Sequence, residues 1–144
     1  MKLSKNFSLE EMLESQSARR HNVVEQFNPN QEVINNLKLL CENILQPLRD
    51  KVGAIQVTSG YRSPRVNKIV GGSSNSQHLT GQAADIKGVR ISNKKLFDSI
   101  IRLNLPFDQL IWEYGTKNEP AWVHVSFSSR NRRQILYIPS NLKP

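Results

Sequence analysis

Two histidines and one aspartate have the residue types and spacing that best suit metal chemistry in this chain. His78 and Asp85 lie seven residues apart, with one glycine and two alanines between them. His124 lies far downstream, in the alternating apolar and polar run Ala121–Phe127. Imidazole nitrogens and a carboxylate oxygen are typical ligands of a catalytic zinc ion, which keeps a fourth position open for water. These residues therefore predict a zinc site with one Zn²⁺ per chain.

Each of these residues taken alone also has a purely structural interpretation. Asp85 stands among small and apolar residues, where an unpaired carboxylate is costly. A cation, an arginine partner or a set of backbone amides would each remove that cost. Alternation along the strand predicted after Ala121 puts His124 on the face opposite Val123 and Val125, so that it lines a cleft. A histidine on a strand is nevertheless often structural.

Glu113 and Arg62 are candidates for the catalytic groups. Glu113 ends the strand before His124, so a hairpin would bring it to the same cleft, where a carboxylate can accept a proton from attacking water. Glu119 competes for this role from an exposed Lys-Asn-Glu-Pro turn. Arg62 follows a buried strand at a sharp turn, and its planar guanidinium suits a carboxylate or a developing oxyanion. A surface arginine at a loop tip is the alternative.

The elements predicted around these residues define an α+β fold. Helices are expected where a capping residue or proline precedes apolar residues at helical spacing, beginning near Ser8, Asn30, Pro64 and Ser92. Pro47 kinks or shortens the second of these helices. Strands are predicted over 54–58, 82–86, 109–114, 122–127 and 134–138. Helices early and an antiparallel meander late predict an antiparallel sheet with helices on one face and the zinc cleft on the other.

Composition limits the size, compartment and partners of the protein. The 144 residues are 38% hydrophobic and 22% charged, which predicts a single folded domain over 1–144, by default a monomer. The lone Cys41 excludes an internal disulfide framework. No apolar run approaches the roughly 20 residues of a membrane span, and no signal region is evident, so we expect cytoplasmic synthesis without stable membrane insertion. The net charge of +8 favours an anionic partner or serves solubility.

The segment Ser76–Asp85 has the form Ser-x-His-x-x-Gly-x-Ala-x-Asp, and this signature resembles the zinc D-Ala-D-Ala carboxypeptidase family. That family includes D-Ala-D-Ala dipeptidases and phage endolysins that cut peptidoglycan stem peptides, and the hedgehog signalling domain shares its fold. The upstream Ser-Gly-Tyr-Arg-Ser at 59–63 and the downstream Trp-x-His at 122–124 also resemble the family. The matches occur in the expected order over about half of the chain.

The resemblance implies a role for each matched residue. His78, Asp85 and His124 would be the zinc ligands, Arg62 would steady the substrate or the transition state, and Ser76 would contact the substrate. Many members have the catalytic acid three residues before the last histidine, where this chain has alanine. A phage-associated branch resembles this chain in having glutamate at the end of the preceding strand, which supports Glu113.

The resemblance predicts a zinc metallopeptidase that cuts peptidoglycan stem peptides, as a D-Ala-D-Ala carboxypeptidase or an endolysin-type endopeptidase. The expected partner is peptidoglycan, and the expected source is a phage or prophage whose product acts on the cell wall. A non-catalytic cell-wall-binding or virion structural module that retains the fold is the alternative. A basic nucleic-acid binder is a third interpretation, but no nucleic-acid motif supports it.

Overall fold

Helices dominate the first half of the chain and strands the second half in the computed structural model, which describes residues 1–144. The α-helices are α1 (Leu9–Leu13), α2 (Gln16–Arg20), α3 (Gln31–Leu40), α4 (Gln46–Val52), α5 (Pro64–Ile69) and α6 (Asn93–Arg102). The strands are β1 (Lys2–Ser4), β2 (Phe7–Ser8), β3 (Ile55–Ser59), β4 (Ala83–Gly88), β5 (Gln109–Glu113), β6 (Trp122–Ser126) and β7 (Gln134–Ile138). Short 3₁₀ turns cover Val24–Phe27, Gln77–Thr80 and Ser140–Leu142.

Side-chain caps begin all α-helices except α4. In each case a serine or asparagine oxygen accepts a hydrogen bond from the backbone N–H three residues later, which satisfies an otherwise unpaired donor of the first turn. The capping residues are Ser8, Ser15, Asn30, Ser63 and Ser92. The helix starts predicted at Ser8, Asn30, Pro64 and Ser92 are confirmed, whereas α2 was not predicted.

A π-helical turn over Cys41–Leu45 joins α3 to α4 without a break in the helical path. Pro47 lies just beyond this turn, in the first turn of α4. Proline lacks an N–H donor, and its ring crowds the carbonyl four residues earlier. The wider turn before Pro47 is the local departure from α geometry that such a residue requires.

No helix in the chain has both the length and the apolar character that crossing a bilayer requires.

The main sheet has five strands in the order β3-β4-β6-β5-β7, and it is mixed. The expected antiparallel meander is wrong at its last strand, because β7 pairs in parallel with β5 while the other pairings are antiparallel. β6 already has β4 and β5 on its two sides, so β7 cannot pair with it and instead joins the free edge of β5. The loop 127–133 leads past the start of β5, and β7 then runs in the same direction.

Alternate residues of the sheet face the helices and form one core with them. The core cluster contains 24 buried residues, among them Val33, Leu37, Ile44 and Leu48 from the α3–α4 segment. The sheet contributes Ala84 and Ile86 from β4, Leu110 and Trp112 from β5, and Val123 and Val125 from β6. The helices therefore cover one face, as predicted, and the intervening residues of these strands point to the other face.

Two leucines of α3 provide a test of this packing. Leu37 is fully buried, whereas Leu39 is 45% exposed. We expect Leu37→Ala to lower the free energy of unfolding by about 2–5 kcal/mol, because it leaves a cavity in the core. Leu39→Ala is the matched control and should change it by no more than about 0.5 kcal/mol. Urea denaturation measures both, and equal effects would contradict this assignment of the buried face.

Candidate active site

The pairing of β4 with β6 brings Asp85 and His124 together. These two residues are direct partners in the antiparallel register, on the sheet face away from the core. The Nδ1 atom of His124 lies 3.1 Å from Oδ1 of Asp85. On the other side of β6, His124 is paired with Ile111 of β5. The sheet therefore fixes this pair of side chains without help from a flexible loop.

His78 reaches the same carboxylate from the 3₁₀ turn Gln77–Thr80. The hydroxyl oxygen of Ser76 accepts a hydrogen bond from the backbone N–H of His78 at 3.2 Å. Gly81 ends the turn in the left-handed region, with φ of 74°, a conformation that glycine adopts without steric cost. The Nδ1 atom of His78 is 2.7 Å from the carbonyl oxygen of Gly60, and Nε2 is 3.3 Å from Oδ1 of Asp85.

The bond to Gly60 determines which nitrogen of His78 is free. A carbonyl oxygen only accepts hydrogen bonds, so Nδ1 carries the proton and Nε2 of the neutral ring carries a lone pair. That lone pair faces the carboxylate of Asp85 at 3.3 Å, which is favourable only with a proton or a cation between them. The ligand atoms of His78, Asp85 and His124 all lie within 4.8 Å of one another.

The two distances from Asp85 to the histidines match those between ligands in the coordination sphere of a zinc ion. Two ligands that are each about 2.0 Å from zinc and subtend a tetrahedral angle lie roughly 3.3 Å apart. The contacts of His78 and His124 with Asp85 are 3.3 and 3.1 Å. A pair of imidazoles with one carboxylate is also a donor set that zinc favours. The residues present therefore fit this metal.

Arg62 holds the other oxygen of Asp85. Its Nη2 atom is 3.2 Å from Oδ2 of Asp85, while Nε donates to the hydroxyl of Ser59 at 3.1 Å. Burial raises the pKa of Asp85, but the hydrogen bond with His124 and the adjacent imidazole of His78 outweigh burial and hold the pKa below its usual value. Asp85 is therefore ionised, as a metal ligand must be. The sequence leaves a cation, an arginine or a set of backbone amides as alternative partners of this carboxylate, and the structure contains the arginine.

The two candidate glutamates lie in different environments. Glu113 lines the cleft, is 17% exposed, and has Oε1 at 3.8 Å from Nδ1 of His124. Burial and the nearby charge of Asp85 raise the pKa of Glu113, which favours proton transfer near neutral pH. Glu119 is exposed, lies outside the cleft, and accepts a hydrogen bond from the backbone N–H of Asn93 at the start of α6.

The cleft around the cluster has a volume of about 520 Å³. Apolar and aromatic side chains line it at the Glu113 end and beside His124, and polar or basic side chains line much of the remainder. The first group is Ile111, Tyr114, Trp122 and Ile138, and the second includes Ser76, Gln77, Gln109, Arg130 and Arg132. The structure therefore places Arg62, Ser76, His78, Asp85, Glu113 and His124 around one cavity.

Asp108 is a buried residue of this region that the sequence analysis did not identify. Its carboxylate accepts five hydrogen bonds: two from the guanidinium and one from the backbone N–H of Arg132, one from Gln77 and one from Ser128. Gln77 adjoins His78, so Asp108 ties the loop 127–133 to the turn that carries this histidine. The only sequence signal is an acidic residue directly before an apolar strand.

An α+β fold with a His-Asp-His cluster in an open cleft is an arrangement suited to metal-dependent hydrolysis. The sequence profile described as Peptidase M15 matches residues 5–126. This chain therefore belongs to the peptidase M15 family, the zinc-dependent D-Ala-D-Ala carboxypeptidase-like group. The resemblance found in the sequence is confirmed. No curated protein matches the chain.

Replacement of Asp108 tests whether its hydrogen bonds hold the loop 127–133 against the turn that carries His78. Asp108→Asn should lower the free energy of unfolding by about 3 kcal/mol, because it removes a buried charge from its donors. Asp98→Asn is the control, since Asp98 forms an exposed ion pair with Lys94 and should cost less than about 1 kcal/mol. Denaturant titration at pH 7 compares the two variants.

Asp108→Asn and the wild type should also differ in their stability toward acid. Hydrogen bonds from Arg132 hold the pKa of Asp108 below its usual value in the folded protein. Its stabilisation is therefore complete above about pH 4, the pKa of an unfolded aspartate, and disappears as the pH falls through the folded-state pKa. Asp108→Asn should lose less stability than the wild type below about pH 4. Parallel acid-denaturation curves for these two proteins would contradict the proposed network.

Proposed function

We propose that this protein is a zinc metallopeptidase that hydrolyses peptide bonds in peptidoglycan stem peptides. The observation that carries the proposal is the lone pair of His78 Nε2, directed at the Asp85 carboxylate with His124 beside it. Membership of the peptidase M15 family supports the reaction class. The bond that is cut and the lysis, virion or remodelling role expected from the resemblance stay predictions.

The chain supplies three ligands and leaves the cleft open beside them. His78 through Nε2, Asp85 through Oδ1 and His124 through Nδ1 would hold the zinc ion. The bond from His78 to Gly60 orients one ligand, and Arg62 orients another. Zinc would supply Lewis acidity, which makes water a nucleophile near neutral pH and polarises a carbonyl group.

The remaining chemistry is proton transfer and stabilisation of charge. Glu113 would accept the proton of the attacking water and donate it to the leaving amine, since its carboxylate lies beside His124 in the same cleft. The guanidinium of Arg62 adds a fixed positive charge where the carbonyl oxygen becomes negative. Ser76 lines the cleft, where it would contact the substrate. Its hydroxyl oxygen also accepts the bond from His78 N–H, so this residue positions a ligand as well.

Zinc binding is expected to depend on the buried His78 and His124 and not on the exposed His21. His78→Ala and His124→Ala should each lower zinc affinity by more than about 100-fold, since changes to groups that only hydrogen-bond a ligand already cost about 10- to 100-fold. His21→Ala is the matched control, because His21 is exposed and lies outside the cleft. Competition with a chromophoric chelator measures affinity, and circular dichroism checks folding. A folded His78→Ala variant with wild-type zinc affinity would contradict the ligand assignment.

Activity is expected to depend on Glu113. Glu113→Gln should lower kcat by about 10²- to 10⁴-fold, because it removes a proton acceptor while keeping the shape of the side chain. Glu119→Gln keeps the acceptor for Asn93 N–H and should leave kcat within about twofold. Peptides released from purified peptidoglycan are identified by mass, and zinc content is measured in each variant.

The outcomes separate the alternatives. A large loss only in Glu119→Gln would move the catalytic role to that residue. A zinc-loaded wild type that binds peptidoglycan but releases no peptide would support the non-catalytic module, whose basis is the alanine at position 121 where many members have an acid. Removal of zinc by a chelator should abolish hydrolysis, and added zinc should restore it.

A further inference from the structure

The register of the sheet arranges the cleft in three successive levels. Glu113 and Trp122 are paired at one end, and Ile111, His124 and Asp85 are paired at the middle level. Gln109 is paired with Gln134 at the other end. Residues two positions apart on a strand are about 7 Å apart. A peptide that lies along the strands across the candidate metal centre would therefore have Glu113 on one side and the start of β5 on the other.

The end of the cleft opposite Glu113 is basic. Arg130 and Arg132 line it, both from the loop 127–133. The Arg132 guanidinium is bound to Asp108 through two hydrogen bonds, and the Arg62 guanidinium is bound to Asp85, Ser59 and Asn67. Arg130 makes a hydrogen bond only through its backbone N–H, to Ser128, and its guanidinium has no partner in the protein. It is therefore the one cleft arginine free to bind a ligand.

The loop that carries Arg130 is held in a defined shape. The hydroxyl of Ser128 donates to Asp108 and accepts from Arg130 N–H, while the backbone N–H of Arg132 donates to Asp108 at 2.8 Å. Asn131 and Arg133 have left-handed φ values of 42° and 51°, which are uncommon for residues with side chains. The backbone beside Arg130 is therefore ordered before any ligand arrives, which reduces the entropy cost of binding.

Charge indicates which ligand this end of the cleft accepts. The cleft contains three arginines but only two carboxylates, Asp85 and Glu113. A divalent cation at the candidate metal centre would make the cleft more positive still. A guanidinium presents parallel N–H donors that match the two oxygens of a carboxylate. An anionic group with this planar shape complements the free Arg130 better than an uncharged amide does.

We propose that Arg130 binds a carboxylate of the substrate peptide on the side of the scissile bond away from Glu113. This inference rests on the proposed peptidase function and narrows its substrate class to peptides with a free carboxylate next to the cleaved bond. In a stem peptide that carboxylate is either the C-terminus or the α-carboxylate of a γ-linked glutamate. Arg130 acts on specificity, and the proton transfer remains with Glu113.

Three synthetic peptides test the proposal and distinguish the two sources of the carboxylate. The first is L-Ala-γ-D-Glu-L-Lys-D-Ala-D-Ala, the second has a C-terminal carboxamide, and the third has D-isoglutamine in place of D-glutamate. Zinc-loaded wild type, Arg130→Ala and Arg130→Lys are compared by kcat/KM. Arg20→Ala is the charge-matched control, since Arg20 is exposed on α2 and outside the cleft.

The wild type should prefer the first peptide to one of the two amides by about 10- to 100-fold, the range for a hydrogen bond to a charged group. The amide that is disfavoured identifies the carboxylate. Arg130→Ala should abolish the preference by lowering kcat/KM only for the peptides that retain the identified carboxylate. Arg130→Lys should retain part of the preference, and Arg20→Ala should retain it fully. A preference that is absent in the wild type, or unchanged in Arg130→Ala, would overturn the proposal.

Binding measurements keep this test independent of turnover. The three peptides are titrated calorimetrically into zinc-loaded Glu113→Gln and into the Glu113→Gln, Arg130→Ala double variant. The first protein should bind the peptides with the same preference, and the double variant should lack it. If the wild type binds the peptides with this preference but cuts none of them, the peptidase function fails and the role of Arg130 stands. If the wild type cuts peptides and the preference does not depend on Arg130, only this inference fails. If no zinc-loaded form binds any peptide, the role of Arg130 is refuted.

Discussion

The hydrogen bond from His78 Nδ1 to the Gly60 carbonyl is the constraint on which the candidate site depends. It fixes the tautomer and directs the free nitrogen to Asp85, and the backbone bond from Arg62 N–H to the His78 carbonyl, at 3.0 Å, strengthens the same junction. Gly60 lies against the backbone of Met12 at the end of α1, where a Cβ atom would collide with the Met12 carbonyl. The N-terminal helix therefore requires a glycine at this turn, and through it sets the position of a candidate metal ligand.

The parts of the site that sequence could predict are those set by local periodicity. Alternation along β6 puts His124 on the face opposite Val123 and Val125, and the structure has this arrangement. The hairpin of β5 and β6 was expected from two apolar runs separated by a turn, and it brings Glu113 beside His124 as predicted. The spacing of His78 and Asp85 within one motif already indicated that they bind the same metal ion. In each case the information lies in a few neighbouring residues.

What sequence could not predict depends on partners that are distant along the chain. The parallel position of β7 depends on which of the sheet edges the loop 127–133 leads to, and no pattern within Gln134–Ile138 records that edge. The local signal of Asp108 did not reveal its role, because its donors come from Gln77, Ser128 and Arg132, on two separate segments. The different roles of the arginines in the loop 127–133 are hidden in the sequence for the same reason. Only the fold shows that Arg132 is committed to Asp108 while Arg130 is free.

The number of hydrogen-bond donors separates the carboxylates of this region into different roles. Asp108 accepts five hydrogen bonds and its pKa is depressed, so it is a saturated structural anion with no capacity for a further ligand. Asp85 has one oxygen held by Arg62 and the other shared by two imidazoles, an arrangement that a cation completes. Glu113 accepts no hydrogen bond, and burial is the main cause that raises its pKa; the nearby Trp122 indole N–H is buried without a hydrogen-bond partner. Environments that push carboxylate pKa values apart in this way suit a structural anchor beside the cleft, and the proposed metal ligand and proton acceptor within it.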